Sequence, residues 1–397
     1  MSANVTGKQE TNNTLMINLE GRLDSSNANE IEKEIFDLIR NNSSDYIVFE
    51  AKNLEYISSA GLRVLLKVIQ SSKEKVVMQN VNSTVGDILH MTGFNTLMKV
   101  TKAMREISVE GCEVIGRGGN GCVYRLDEDT IIKVYYEKTP LEAIEKERNL
   151  AQNAFLAGIP TAISYDIVKV GNLYGIVFEM IKAETFSSLM NKDPEKYAVE
   201  YAKLLKKIHN TKADPNKFVS TKDIYKGFVD KLGNRLTAEE ASKIKKFIDD
   251  IPDRNTILHG DYHPSNVMLQ NDEPILIDMA DVGYGHPIFD IAGAYVLLVN
   301  CAKSNPTVLK YYLGMEPETA LKVWDIFAKT YFETEDQERL ALIDQIISGY
   351  AMIRSTIGTM QANTLPEEQI QSCLQIGRMY FFPNMDKISG TVNLLGI

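Results

Sequence analysis

Residues 257–269 read ILHGDYHPSNVML and residues 275–281 read ILIDMAD. Transfer of a phosphoryl group to a hydroxyl needs a carboxylate that orients or deprotonates the acceptor, and oxygen ligands for a Mg²⁺ ion bridging the phosphates. Asp261 suits the first role, and Asn266 and Asp278 suit the second. Taken singly, each has a plainer reading: Asp261 as a turn residue, Asn266 as a cap, Asp278 as a post-strand turn. Taken with His259, at this spacing, they make a poor coincidence, because a specified residue turns up by chance at about one position in twenty.

Upstream, residues 116–123 spell G-x-G-x-x-G-x-V with Gly116, Gly118, Gly121 and Val123. Glycines at such positions let backbone N–H groups approach a polyphosphate. The same spacing opens dinucleotide-binding folds and occurs in ordinary hairpin turns. A dinucleotide fold passes from the motif into a helix, whereas here a second strand follows, over residues 130–134, carrying Lys133. That is the layout of a hairpin that covers nucleotide phosphates with a lysine beside them; a solvent-facing lysine on a half-buried strand is the plainer alternative. On the next helix Glu147 is the preferred ion-pair partner, since it shares a face with Leu150, Ala151 and Ala154, although Glu142 and Glu145 are also near. Residues 176–181 form an apolar strand end where backbone groups, at Glu179 and Ile181, would meet an adenine edge.

These residues need elements to hold them. The 397 residues exceed the roughly 250–300 at which one core stops growing, so two or more packed units are expected. Residues 14–19, 46–51, 76–81 and 97–100 read as strands. Between them lie three amphipathic helices: one after Ser25 and Ser26 with Ile31, Ile35 and Ile39, one with Leu62, Leu65, Leu66 and Ile69, and one from near Ser83 with Val85, Ile88 and Leu89. The pattern predicts a β-α-β-α-β-α-β domain of about 100 residues. From residue 107 the chain turns to hairpin strands, a charged helix near 141–157 and strands up to 180, then becomes mainly helical. A small β-rich lobe followed by a larger helical one is expected, with His209, Trp324 and the aromatic residues 380–382 read as packing groups.

Composition excludes several classes. Lys and Arg number 43 against 53 Asp and Glu, a net charge of −10, which argues against a broad nucleic-acid face or a polybasic membrane anchor. Residues 1–16 hold no apolar stretch of leader length and the greasiest run, 291–299, is too short for a membrane span, so a cytoplasmic protein is expected. Cys112, Cys122, Cys301 and Cys373 show no CxxC or Cys/His pairing, hence no disulfide framework or zinc site.

On HGDYHPSN, LIDMAD and the segment GHPIFDIA at 285–292, residues 110–390 resemble the aminoglycoside phosphotransferase and choline kinase type of protein-kinase-like fold. The resemblance implies ATP or GTP as donor and Mg²⁺ as cofactor, with Asp261, Lys133 and Glu147 catalytic, Asn266 and Asp278 on the metal, and Asp290 with His259 supporting the catalytic loop. Asp278 is followed by Met279 and Ala280 rather than Phe-Gly, twelve positions separate it from Asp290, and His263 stands where protein kinases carry a lysine. These departures favour a small-molecule acceptor over a protein one.

Residues 10–105 resemble the STAS domain of bacterial anti-sigma factor antagonists, on LEGRLD at 19–24 and LEYISSAGLRVLL at 54–66. In that family the serine opening the second helix is phosphorylated to switch partner binding. Ser59 matches it, with Ser58 standing where the family has aspartate. Ser59 would also serve as a plain helix cap. The chain therefore reads as an α/β STAS domain over residues 1–108 followed by an α+β bilobal kinase-like domain over 109–397, with lobes 109–181 and 182–397. Three functions are compatible: a phosphotransferase acting on a small-molecule hydroxyl, with the STAS module binding a protein partner; a non-enzymatic regulator whose kinase-like part only binds nucleotide; and a kinase acting on Ser58 or Ser59 themselves.

Overall fold

The computed structural model describes residues 4–10, 13–361 and 365–397, so the stretch 1–16 weighed above for a leader lies partly outside the described residues. The chain divides into two compact units, Met1–Glu106 and Ile107–Ile397. Among the described residues no helix is long and apolar enough to cross a membrane, and all four cysteines are free.

The first unit is a five-stranded sheet in the order β1-β2-β3-β4-β5, formed by β1 (Asn4–Glu10), β2 (Thr14–Leu23), β3 (Tyr46–Ile57), β4 (Lys75–Val81) and β5 (Lys99–Lys102). Strands β2 to β5 are parallel, joined by α1 (Ala28–Asn41), α2 (Ser59–Ser71) and α3 (Ser83–Met91). Leu15, Ile17 and Leu19 alternate into the core from β2, and Ile47, Phe49 and Ala51 do so from β3, where they meet Ile31 and Ile35 of α1 and Val64, Leu65 and Val68 of α2.

Both edges of the sheet differ from expectation. Strand β1 was not anticipated, because NVTGKQE carries no run of apolar residues; backbone pairing with β2, from Asn4 opposite Glu20 to Glu10 opposite Thr14, makes it an antiparallel edge. The last strand begins at Lys99 rather than 97, since Leu97 closes a 3₁₀ turn over Phe94–Thr96 that follows Gly93 in the left-handed region. Strand β3 runs six residues past Ala51, to Ile57. The helix cap is also corrected: Ser58, extended at φ −95°, accepts from the N–H groups of Ala60 at 3.2 Å and Gly61 at 3.4 Å. Ser59 is already the first helical residue, and it is exposed.

The second unit opens with an antiparallel sheet, β6-β7-β8-β10-β9, built from β6 (Val114–Arg117), β7 (Gly121–Arg125), β8 (Thr130–Tyr135), β9 (Ser164–Val170) and β10 (Leu173–Glu179), with α4 (Leu141–Leu156) between β8 and β9. A Cβ on Gly121 would stand 2.2 Å from the Val134 carbonyl oxygen, so only glycine lets β7 approach β8 there. Positions 118 and 119 leave a Cβ unhindered.

Beyond Glu179 the chain is mostly helical. Strand β11 (Glu184–Thr185) leads into α5 (Phe186–Lys192) and α6 (Pro194–His209); β12 (Val219–Ser220) precedes α7 (Thr221–Leu232) and α8 (Ala238–Asp249). The loop-and-strand insert holds β13 (Thr256–Leu258), β14 (Val267–Gln270), β15 (Glu273–Leu276) and β16 (Gly283–Gly285). Helices α9 (Ile288–Tyr295), α10 (Ala302–Ser304), α11 (Pro306–Leu313), α12 (Pro317–Phe332), α13 (Gln337–Thr356), α14 (Glu367–Ile376) and α15 (Met385–Ile388) complete the unit. One core runs through the helical lobe, in which Leu205, Ile208, Ile257, Leu258, Ile291, Phe327, Ile347 and Tyr350 are buried together, while Ile132, Val134, Val168 and Val177 form a separate cluster in the β-rich sheet. Trp324 belongs to this core, its indole N–H donating to Asp344 at 2.8 Å.

Candidate active site

Two strands and one helix of the β-rich lobe position the lysine. Lys133 on β8 lies between Val123 of β7 and Ile176 of β10 in register. Its side chain turns inward, to 17% exposure, and its ammonium donates to Glu147 Oε1 at 2.8 Å and to Asp278 Oδ1 at 3.1 Å. Of the three glutamates weighed on α4, Glu147 alone is buried; Glu142 and Glu145 face solvent. The Tyr135 ring stands 5.4 Å from the same ammonium. Burial works against the charge, but the Asp278 and Glu147 carboxylates outweigh it and hold Lys133 above the ordinary lysine range.

The glycine hairpin is closed by the Gly118 N–H donating to the Gly121 carbonyl at 2.9 Å, and the Tyr136 hydroxyl donates to the Gly118 carbonyl at 3.3 Å. At the other end of the sheet, the Glu179 N–H is taken by the Ile163 carbonyl at 2.9 Å and Ile181 is buried just beyond β10.

The HGDYHPSN segment runs between β13 and β14 and is anchored by buried side chains. Asp290, buried on α9, accepts the His259 N–H at Oδ2 and the Gly260 N–H at Oδ1, both at 2.8 Å, while His209 at the end of α6 reaches Oδ2 at 3.2 Å. The second nitrogen of His209 bonds the Tyr331 hydroxyl at 2.7 Å. Burial opposes the Asp290 charge, yet the His209 bond and the loop amides hold its carboxyl below the usual range. His259 accepts the Asp261 N–H at Nδ1 (3.3 Å), which leaves Nε2–H to donate to the Ile277 carbonyl at 3.3 Å and ties the loop to the Asp278 strand. Tyr262 and Tyr201 stack at 4.4 Å and exchange hydroxyl-to-carbonyl bonds of 2.7 and 3.2 Å.

Gly260 makes the loop fit. It sits at φ +82°, and a Cβ there would stand 2.1 Å from the Asp281 carbonyl oxygen. Gly260→Ala is expected to cost about 2–3 kcal/mol through strain and displacement of that backbone, read as a lowered melting temperature of the second unit.

Asp261 then projects from a fixed backbone. Its Oδ1 accepts from Arg354 Nη2 at 2.8 Å, its Oδ2 lies 3.6 Å from His263 Nε2, and its carbonyl accepts the Asn266 side-chain amide at 3.0 Å. Burial raises the cost of its charge, but His263 and Arg354 more than compensate and hold the carboxyl well below the usual range. Asp278 is half exposed, in the left-handed region at φ +58°, just past β15. Among the described residues no group of three or more His, Cys, Asp or Glu could hold a metal ion alone. Asn266 and Asp278 instead offer an amide and a carboxylate, the hard oxygen donors that Mg²⁺ takes in small number when phosphates supply the rest.

The structure thus brings Lys133, Glu147 and Asp278 together and gathers His259, Asp261, Asn266 and Asp290 into one bonded loop. Ser58 and Ser59 lie in the other unit. Arg354, on α13, was not anticipated; its sequence signal is a lone charge in the run GYAMIRSTIG at 349–358. His209 was read as a packing or capping group, and its bond to Asp290 makes it part of the loop's anchor.

Comparison with known proteins divides the chain at the same place. The model of the phosphotransferase enzyme family (APH) matches residues 112–320, and that of the STAS domain matches residues 6–107. The first match covers more than half of the chain, which therefore belongs to the phosphotransferase enzyme family and carries a STAS domain ahead of its protein-kinase-like domain. An anti-sigma F factor antagonist of Paenibacillus polymyxa is 28% identical over 102 residues, 24% of this chain and 87% of its own length. A streptomycin–ATP ternary complex of APH(2")-IIa is 18% identical, covering 69% of this chain and 92% of that one, with a TM-score of 0.43. A choline/ethanolamine kinase family protein from Mesorhizobium loti is 13% identical over 71% of this chain and 92% of its own, with a TM-score of 0.41.

Proposed function

We propose that the second unit is an ATP-dependent phosphotransferase acting on a small-molecule hydroxyl, and that the STAS unit docks a protein partner that regulates it. The observation that carries this reading is the complete ion-pair set at one place, Lys133 between Glu147 and Asp278, in the same unit as a rigidly anchored Asp261. A chain that only bound nucleotide would have no need to keep an anchored carboxylate for the acceptor.

In this reading the glycine hairpin covers the triphosphate, and Lys133, oriented by Glu147, meets its oxygens. Asn266 and Asp278 would hold Mg²⁺, which supplies neutralisation of phosphate charge. Asp261 accepts a hydrogen bond from the acceptor hydroxyl and aims its oxygen at the γ-phosphorus. The new O–P bond forms as the β–γ bridging P–O bond breaks; ADP leaves with that electron pair and the hydroxyl proton passes to Asp261. A carboxylate held below the usual range is a weak proton acceptor, which suits a loose transition state where the hydroxyl proton is lost late and orientation matters more than deprotonation.

The test is transfer of labelled γ-phosphate from MgATP, with GTP in parallel, to a panel of hydroxyl metabolites and aminoglycosides, with Asp278→Ala as control. Labelled product from the native chain and at least about a 100-fold drop in the control are expected. Nucleotide binding without transfer to any acceptor or to water would reduce the unit to a binding module. Intact-mass measurement of the same samples reports on Ser58 and Ser59, of which Ser59 presents the exposed hydroxyl.

A further inference from the structure

We propose that Arg354 is a positioning residue for Asp261: it fixes Oδ1 from α13 so that Oδ2 is the oxygen presented to the acceptor. The proposal rests on the phosphotransferase reading above.

Three observations converge on it. The guanidinium donates to Oδ1 at 2.8 Å with 19% of its side chain and 34% of that of Asp261 exposed, so the contact is partly shielded from solvent. The hydroxyl of buried Tyr225 on α7 lies beside it at Gly358, and its charge also feels Tyr225 and Asp281. The stem has a fixed course: a Cβ on Gly358 would stand 2.9 Å from Arg354 Cδ and 3.2 Å from the Tyr225 hydroxyl, so glycine leaves the space through which the arginine passes.

The two restraints on Asp261 are therefore separate. Asp290 on α9 holds the loop backbone through the His259 and Gly260 amides, and α13, packed against α9, supplies the arginine that holds the carboxylate. A carboxylate anchored at its backbone alone still rotates about its side-chain torsions. Bonding one oxygen removes that freedom and leaves the other, beside His263 Nε2 at 3.6 Å, in a defined direction. No substrate contact is required of Arg354 for this, so its removal should weaken turnover and leave nucleotide recognition at Lys133 untouched.

The test uses the full chain and MgATP hydrolysis, with water as the acceptor, since it needs no identified substrate. Arg354→Gln is expected to lower kcat about 10- to 50-fold, with KM for MgATP within about twofold of the native value. Arg354→Lys, which keeps the charge without the planar fork, should recover to within about fivefold. In an Asp261→Asn background, Arg354→Gln should cost less than about twofold more, because both changes remove one orienting device. Multiplicative losses in that background, or a KM that rises as kcat falls, would overturn the assignment and leave Arg354 a structural group. If Arg354→Gln does not fold, Arg354→Lys and Tyr225→Phe in the same cycle decide it, with additive losses again counting against it. A native chain that turns over no MgATP overturns the phosphotransferase reading and this proposal together; turnover in which Arg354→Gln matches native overturns this proposal alone.

Discussion

On the proposed reading, replacing Asp261 with Asn is expected to lower MgATP-dependent phosphoryl transfer by about 10²- to 10⁴-fold, while nucleotide affinity stays within about twofold. The amide has the shape of the carboxylate but accepts no proton and offers one oxygen in place of two. With the Arg354 contact at 2.8 Å on Oδ1, the oxygen of the amide is drawn to the guanidinium and its NH₂ is turned to the acceptor, the wrong polarity for orienting a hydroxyl. Nucleotide binding, proposed at Lys133, would not involve Asp261, so isothermal titration with a non-hydrolysable ATP analogue separates the two effects. Unchanged turnover would remove Asp261 from the reaction.

Asp290→Ala is the change expected to cost most stability, about 3–5 kcal/mol. The carboxylate is fully enclosed and satisfies two backbone N–H groups and the His209 ring; deletion leaves all three without it and frees the loop. Chemical denaturation should show the loss, accompanied by lower turnover because the backbone carrying Asp261 loses its anchor. The same group sets an acid limb on stability. Its folded pKa is depressed, so its contribution is fully present above the unfolded carboxylate range, near pH 4, and is lost as pH falls below it. Asp290→Asn should flatten that limb; a limb identical to the native one would place the titration elsewhere.

How much of this was legible beforehand depends on how far apart in the chain the partners are. Asp261, Asn266 and Asp278 lie within one short segment whose spacing is itself the signal, and Lys133 follows its glycine loop directly. Glu147 could be preferred over Glu142 and Glu145 because helical geometry places it on the apolar face. Arg354, 93 residues beyond Asp261, sits in a helix whose Ile343, Ile346, Ile347, Tyr350 and Ile353 announce only burial. Nothing local says which distant carboxylate a lone charge among them will meet. The STAS-domain helices were legible from their apolar spacing, but β1 was not, since an edge strand is held by backbone bonds that leave little trace in composition. The cap moved from Ser59 to Ser58 for a related reason: either serine could cap, and only the point at which the backbone turns helical decides.

The double pairing of Lys133 has a consequence for ionic strength. This cation is matched by two carboxylates, one of which, Asp278, is half exposed. On the proposed reading, a triphosphate would exchange partners at the lysine and would not meet a bare charge. The electrostatic gain is the difference between two pairings, so added salt, which screens both, should change affinity at this position far less than it would at an unpaired surface lysine. On the proposed reading, nucleotide affinity would then depend little on the ionic composition around Lys133.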